Sequence, residues 1–136
     1  MMRFVQKTFL IGCLTLFAVF ALASCSLFTT TIDKTDSGSI QNLNVGDLFV
    51  IRLEGNASTG YEWVRGAPAS LEGSPLEIVN ENDYQNLDTP MPGAPGEFIF
   101  RYRAMRPGTV TLEFEHRRPW EAATPIDGYS VTVWVQ

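Results

Sequence analysis

The amino-acid sequence predicts an all-β domain, and three observations carry that reading. Apolar and polar residues alternate along several short runs. Phe98, Phe100 and Tyr102 alternate with Ile99, Arg101 and Arg103. Val110, Leu112 and Phe114 alternate with Thr111, Glu113 and Glu115, and Tyr129, Val131, Val133 and Val135 with Ser130, Thr132, Trp134 and Gln136. Side chains of a strand point to opposite faces in turn, so this pattern marks strands with one buried face. No long helical pattern interrupts these runs, and there is no internal repeat. Turn residues recur between them, giving about seven strands at intervals of roughly 8–12 residues, the pattern of an immunoglobulin-like β-sandwich.

The first segment stands apart from that domain. Arg3 and Lys7 precede an apolar run from Phe9 to Ala23, which ends in Leu22-Ala23-Ser24-Cys25. A basic start, an apolar stretch and small residues before a cut make a secretory signal. The run is short for a membrane-spanning helix, which needs ~20 apolar residues. Leu22 to Cys25 resembles the lipobox of bacterial lipoproteins. That resemblance implies cleavage after residue 24, acylation of Cys25, and attachment to a membrane through two or three acyl chains, enough for durable anchoring. Ser26, where an aspartate often retains Gram-negative lipoproteins at the inner membrane, points to the outer membrane if the source is Gram-negative. The expected organisation is a signal peptide over 1–24, a lipidated Cys25 with a flexible tether to residue 37, and a sandwich domain over 38–136.

Each element after the cut follows from its residues. Thr, Ser and Asp dominate residues 26–38, which therefore read as the tether. Ile40–Val45 is a short strand. Asp47–Leu53 is apolar on both faces, as in a strand covered on both sides. Tyr61–Val64 and Leu76–Asn80 are short strands, and Trp63 is placed like the core tryptophan of such sandwiches. Arg106-Pro107-Gly108 is a tight turn. The irregular stretches are 54–60, 81–96 and 116–128, and loops carry function more often than strands do.

Composition excludes several classes of function. The chain has two cysteines. Cys13 leaves with the signal and Cys25 carries lipid, so no disulfide staples the domain. A core of about 100 residues supplies the stability instead. Of ten basic residues Arg3 and Lys7 are lost with the signal, leaving eight against fifteen acidic ones, a charge of −7. That argues against a nucleic-acid partner, which requires clustered Lys and Arg. His116 is the one histidine, and beside Arg117 and Arg118 it reads as a solvated strand-end residue. No serine lies in a nucleophile-elbow context. Glu81, Asp83 and Asp88 lack calcium-loop spacing and read as a solvated acidic loop. Glu113 and Glu115 read as the polar face of an exposed strand. The sequence predicts no enzyme, no metal and no cofactor.

Three loops remain. Asn56-Ala57-Ser58-Thr59-Gly60-Tyr61-Glu62-Trp63 carries a compact tip of small residues that can enter a narrow cleft. Its plainer reading is a turn capped by Asn56 and relaxed by Gly60. Pro92-Gly93-Ala94-Pro95-Gly96 has little side-chain bulk, so its backbone can meet a partner directly or serve as a connector. Arg117-Arg118-Pro119-Trp120-Glu121 holds the residue types that dominate interface hot spots. Its alternative is a tryptophan folded over the sandwich edge.

Asn56 to Trp63 resembles the Asn-Pro-Thr-Thr-Gly-Tyr/Phe-x-Trp motif of the chagasin family of cysteine-protease inhibitors. Gly93-Ala94-Pro95-Gly96 is similar to that family's Gly-x-Gly-Gly motif, and Arg118-Pro119-Trp120 matches its Arg-Pro-Trp motif. All three occur in the family's order over residues 38–136. The resemblance implies an immunoglobulin-like sandwich whose three loops plug the active-site cleft of papain-like cysteine proteases without a covalent bond. Asn56, Ser58, Thr59, Gly60 and Tyr61 would form the first contact, with Ser58-Thr59-Gly60 at the catalytic cysteine and histidine. Gly93, Ala94, Pro95 and Gly96 would run along the cleft, and Arg118, Pro119 and Trp120 would pack on the far side. The chain departs from the family at Ala57 and Ser58, which stand for Pro and Thr. It departs again at Pro95, which stands for Gly and removes an N–H donor. These departures leave open an envelope lipoprotein that keeps the scaffold as a binding module without inhibiting. A monomer is expected.

Overall fold

In a computed structural model, residues 27–87, 91 and 93–136 are described, Asn82 by its backbone alone. The signal segment and Cys25 lie outside them, as do Asp88 and Pro92. Eight strands form two four-stranded sheets: β1 (Thr29–Asp33), β2 (Ile40–Leu43), β3 (Leu48–Gly55), β4 (Glu62–Ala67), β5 (Leu76–Asn86), β6 (Gly96–Ala104), β7 (Gly108–Arg117) and β8 (Asp127–Val135). One sheet has the order β1-β3-β6-β5 and the other β2-β8-β7-β4. The alternating runs of the sequence supply the core: Phe98, Phe100, Tyr102, Leu112, Phe114, Tyr129, Val131 and Val133 are buried between the sheets. Phe100 and Phe114 meet across the sandwich with ring centroids 4.6 Å apart, a separation suited to aromatic pairs.

The strand expected to be apolar on both faces is β3, interior in its sheet. Phe49, Ile51 and Leu53 face the core, and Val50 on the other face is also buried. Val50 lies opposite Arg101, and Arg52 opposite the buried Ile99. The outer apolar pair is thus flanked by long arginine stems, which cover apolar surface while their heads reach carboxylates. Those carboxylates are Glu97, 2.8 Å from Arg52, and Asp83, 2.7 Å from Arg101.

Two expectations are corrected. The segment read as a flexible tether enters the fold. Thr29–Asp33 is β1, parallel to β3, with Thr30 opposite Phe49 and Ile32 opposite Ile51. Burying Ile32 and hydrogen-bonding its neighbours outweighs the polar composition that suggested a tether. A 3₁₀ turn at Lys34–Asp36, closed by reciprocal caps from Asp33 and Asp36, then carries the chain to β2 in the other sheet. Second, residues 81–86 are not loop but the far half of β5. Register shifts between Ile78 and Asn80 and between Asn80 and Asp83 break the alternation there. A bulge inserts an unpaired residue and switches the face of those that follow. Glu81 and Asp83 are accordingly ion-paired rather than solvated. Arg65 of β4 meets Glu81 at 2.6 Å, and the Tyr102 hydroxyl donates to the same carboxylate at 2.5 Å. This network joins the two sheets. Burial, and then the adjacent Glu81, push the Tyr102 hydroxyl well above its ordinary value.

Candidate functional site

Strand directions bring the three loops to one end. Gly55, which ends β3, pairs with Gly96, which begins β6, and Gly96 pairs with Asn86, which ends β5. In the other sheet Glu62 pairs with Arg117, and His116 with Asp127. The described residues of 56–61, 87–95 and 118–126 therefore start from the same end of the sandwich. The first loop joins the two sheets, the second joins strands of one sheet, and the third joins strands of the other.

The first loop is a single 3₁₀ turn, Ala57–Thr59, built by its own side chains. Asn56 caps it: its side-chain oxygen accepts from the Ser58 amide at 3.0 Å and from the Ser58 hydroxyl at 2.6 Å. The Thr59 hydroxyl donates to the Asn56 carbonyl at 2.6 Å. Gly60 closes the turn at φ 78°, a left-handed conformation that glycine adopts without a Cβ penalty. Glycine is needed there twice over, because a Cβ would lie 2.7 Å from the Trp120 ring.

The third loop is tied to the first. The Arg118 guanidinium donates to the Thr59 carbonyl from Nε at 3.3 Å and from Nη2 at 3.2 Å, while its Nη1 meets Glu121 at 3.0 Å. The same guanidinium sits 4.6 Å from the centre of the Tyr61 ring, within reach of a cation–π attraction. Trp120 rests against Gly60 with 68% of its surface exposed. It is not folded over the sandwich edge. A large aromatic held outward by polar contacts behind it suits a partner's pocket.

The Asn56 side chain ties the second loop to the first. The Asn56 Nδ2 donates to the Gly93 carbonyl at 2.8 Å. The Leu87 amide donates to the Pro95 carbonyl at 3.2 Å, and the Ala94 amide to the Met91 carbonyl at 3.0 Å. Pro95 thus offers the loop an acceptor, although it has no N–H. Gly96 is buried where the Tyr84 ring leaves no room for a Cβ. Tyr84 was missed in the sequence because the bulges of β5 hid its strand. Its hydroxyl reaches the Gly55 carbonyl at 3.4 Å and the Ala57 amide at 3.5 Å, so it supports the base of the first loop.

Beneath the loops Trp63 is buried and donates from its indole nitrogen to the Glu54 carbonyl at 2.9 Å. His116 stacks on it, centroids 4.8 Å apart and planes 6° from parallel, with the Tyr61 edge at 5.7 Å. It is therefore packed rather than solvated, and its Nε2 is buried without a hydrogen-bond partner. Burial holds its pKa below the ordinary histidine value; Asp127 opposes that shift and Lys34 adds to it. Among the described residues, no three His, Cys, Asp or Glu side chains cluster to hold a metal ion.

The described residues of the three loops thus form one edge of the sandwich, linked by Arg118 on the Thr59 carbonyl and by Asn56 on the Gly93 carbonyl. Residues 42–133 match the family described as Chagasin family peptidase inhibitor I42. The chain is 30% identical over 95 residues to Chagasin of Trypanosoma cruzi, covering 65% of this chain and 81% of that protein. Its fold resembles the crystal structure of EhICP2, the cysteine protease inhibitor from Entamoeba histolytica. That match has a TM-score of 0.71 at 21% identity and covers 82% and 98% of the two chains. It also resembles PbICP-C, solved in complex with falcipain-2, with a TM-score of 0.52 at 21% identity over 80% and 99% of the two chains. The chain belongs to the chagasin family: it is a cysteine protease inhibitor, not an enzyme.

Proposed function

We propose that this chain inhibits papain-like cysteine proteases reversibly by laying its three-loop edge into the active-site cleft, and that it does so from a membrane anchor at Cys25. Ser58, Thr59 and Gly60 enter deepest. Gly93 to Gly96 lie along the cleft by backbone contacts, and Trp120 packs on the opposite wall, with Arg118 and Pro119 fixing its position. The observation that carries this reading is the seating of the exposed Trp120 on Gly60, with Arg118 bonded to the Thr59 carbonyl. Two loops are thereby ordered before a partner arrives, which limits the entropy lost on binding. Among the described residues of the edge no group is arranged as a nucleophile with its base, and occlusion by the loops is the mode of inhibition in this reading. The lipobox-like Leu22-Ala23-Ser24-Cys25 supports the anchor, with the outer membrane as its site if the source is Gram-negative.

The test is titration of residues 26–136 against papain and a cathepsin-L-like protease, with a serine protease as control. Tight, reversible inhibition of the cysteine enzymes alone is expected. The Thr59→Trp variant should lose it while remaining folded. A folded domain inert at micromolar concentration would instead mark a binding module that has kept the scaffold and lost the activity.

A further inference from the structure

We propose that the end of the sandwich opposite the three loops is a membrane-contacting face that lies on the bilayer holding Cys25. The inference rests on the lipid anchor proposed above and adds an orientation to it. Four large apolar side chains are exposed at this end: Leu27 at 61%, Phe28 at 63%, Val45 at 46% and Met105 at 46%. Bonds donated by main-chain amides gather them. The Phe28 amide donates to the Asp47 carboxylate at 3.2 Å, and the Leu48 amide to the Phe28 carbonyl at 2.9 Å. The Gly46 amide donates to the carbonyl of Ala104, next to Met105, at 2.7 Å. Leu27 lies over Gly46, where an added Cβ would be 3.1 Å from its Cδ2.

Chain length decides what covers this face. Only Ser26 separates Cys25 from Leu27, so the anchored cysteine lies within about 7 Å of it even with the chain fully extended. The following residues enter β1, so no slack tether lifts the domain away. A lipid surface is thus the one apolar phase that the covalent chain brings to Leu27 and Phe28. Shallow insertion of such side chains, about 5–10 Å into the headgroup region, is how apolar faces rest on bilayers. The eight residues of β3 span about 26 Å at the rise of an extended strand. The inhibitory edge therefore stands about that far above the membrane and faces away from it.

The experiment uses the full chain, acylated and reconstituted in phosphatidylcholine–phosphatidylglycerol vesicles. Cys25 being lipidated and Cys13 removed, an introduced cysteine is the single labelling site. Met105→Cys and Ala123→Cys are each labelled with an environment-sensitive fluorophore, and an unchanged melting temperature reports that each is folded. Bromine on the upper acyl chain is expected to dim the label at 105 by about half and to leave the label at 123, about 26 Å higher, unchanged. Leu27→Asp with Phe28→Asp should abolish that dimming while the protein still floats with the vesicles. If both labels report water on floating vesicles, the face does not touch lipid and the proposal fails. A label at 105 that is shielded but not dimmed by bromine marks a second protein copy there, which also overturns it. Protein that fails to float at all removes the anchor itself, a separate result from loss of orientation.

Discussion

Both ends of this sandwich expose apolar side chains, but they hold them differently. At the loop end, Trp120 is backed by Gly60, braced by Arg118 on the Thr59 carbonyl, and joined through Asn56 to Gly93. Polar side-chain bonds fix one large apolar group in one place. At the other end Leu27, Phe28, Val45 and Met105 are exposed as well, and the bonds that gather them are donated by main-chain amides, one of them to the Asp47 carboxylate. A shaped partner rewards the first arrangement, because a preformed knob fills a preformed pocket. A fluid apolar phase needs only area. Exposed apolar surface alone does not say which partner is meant; the way it is held does.

The largest effect should come from the base of the loop end. Trp63→Ala removes a buried ring, its bond to the Glu54 carbonyl and the stacking surface of His116, and is expected to cost ~3–5 kcal/mol of stability. Denaturant unfolding measures this. A loss below about 1 kcal/mol would mean that the inhibitory edge does not stand on a packed foundation. Trp120→Ala should do the reverse. Because the ring is exposed, stability should move by less than about 0.5 kcal/mol, while protease binding falls by ~2 kcal/mol or more, roughly thirtyfold. Inhibition constants and melting temperatures measured side by side would expose a ring that is merely structural. Asn56→Ala tests the tie that Asn56 makes between the first and second loops. Loss of its cap and its bond to Gly93 should weaken inhibition by about fivefold, or ~1 kcal/mol, mainly through faster dissociation.

The smallest expected effect is a pH dependence. An unfolded chain protonates His116 near the ordinary value of 6.5, whereas burial against Trp63 resists protonation in the fold. The stability this gives is complete above about pH 6.5 and is lost as the pH falls below it towards the lower folded value. Melting temperature should therefore decline on mild acidification, and His116→Gln should flatten that part of the curve. An unchanged slope in the variant would assign the acid sensitivity elsewhere.

The alternating strands β6, β7 and β8 were legible in the sequence because their core-facing residues recur every second position, with Ile99 of β6 the buried apolar exception on the outer face. β3 was legible from its run of apolar residues. The three loops could be found because they depart from that period and carry a family's motifs, and the structure brings them to one end. What was hidden has physical causes. The far half of β5 was lost because its bulges move Asn80, Glu81 and Asp83 off the alternation, and with it went the role of Tyr84. β1 was lost because Thr29, Thr30 and Thr31 are polar yet bond well along an edge, and one buried Ile32 leaves little pattern to read. His116 was misjudged from its basic neighbours, since stacking on Trp63 is a contact between two strands that no local spacing reveals.

The first loop is also one of the places where the chain crosses between the two sheets, because β3 belongs to one and β4 to the other. Slippage of one sheet over the other therefore strains Asn56 to Tyr61, together with the other crossings, and pulls Gly60 away from Trp120. The inhibitory edge is in this sense a gauge of the whole sandwich. Activity should disappear at the same denaturant concentration as the core, with no half-folded species that still grips a protease.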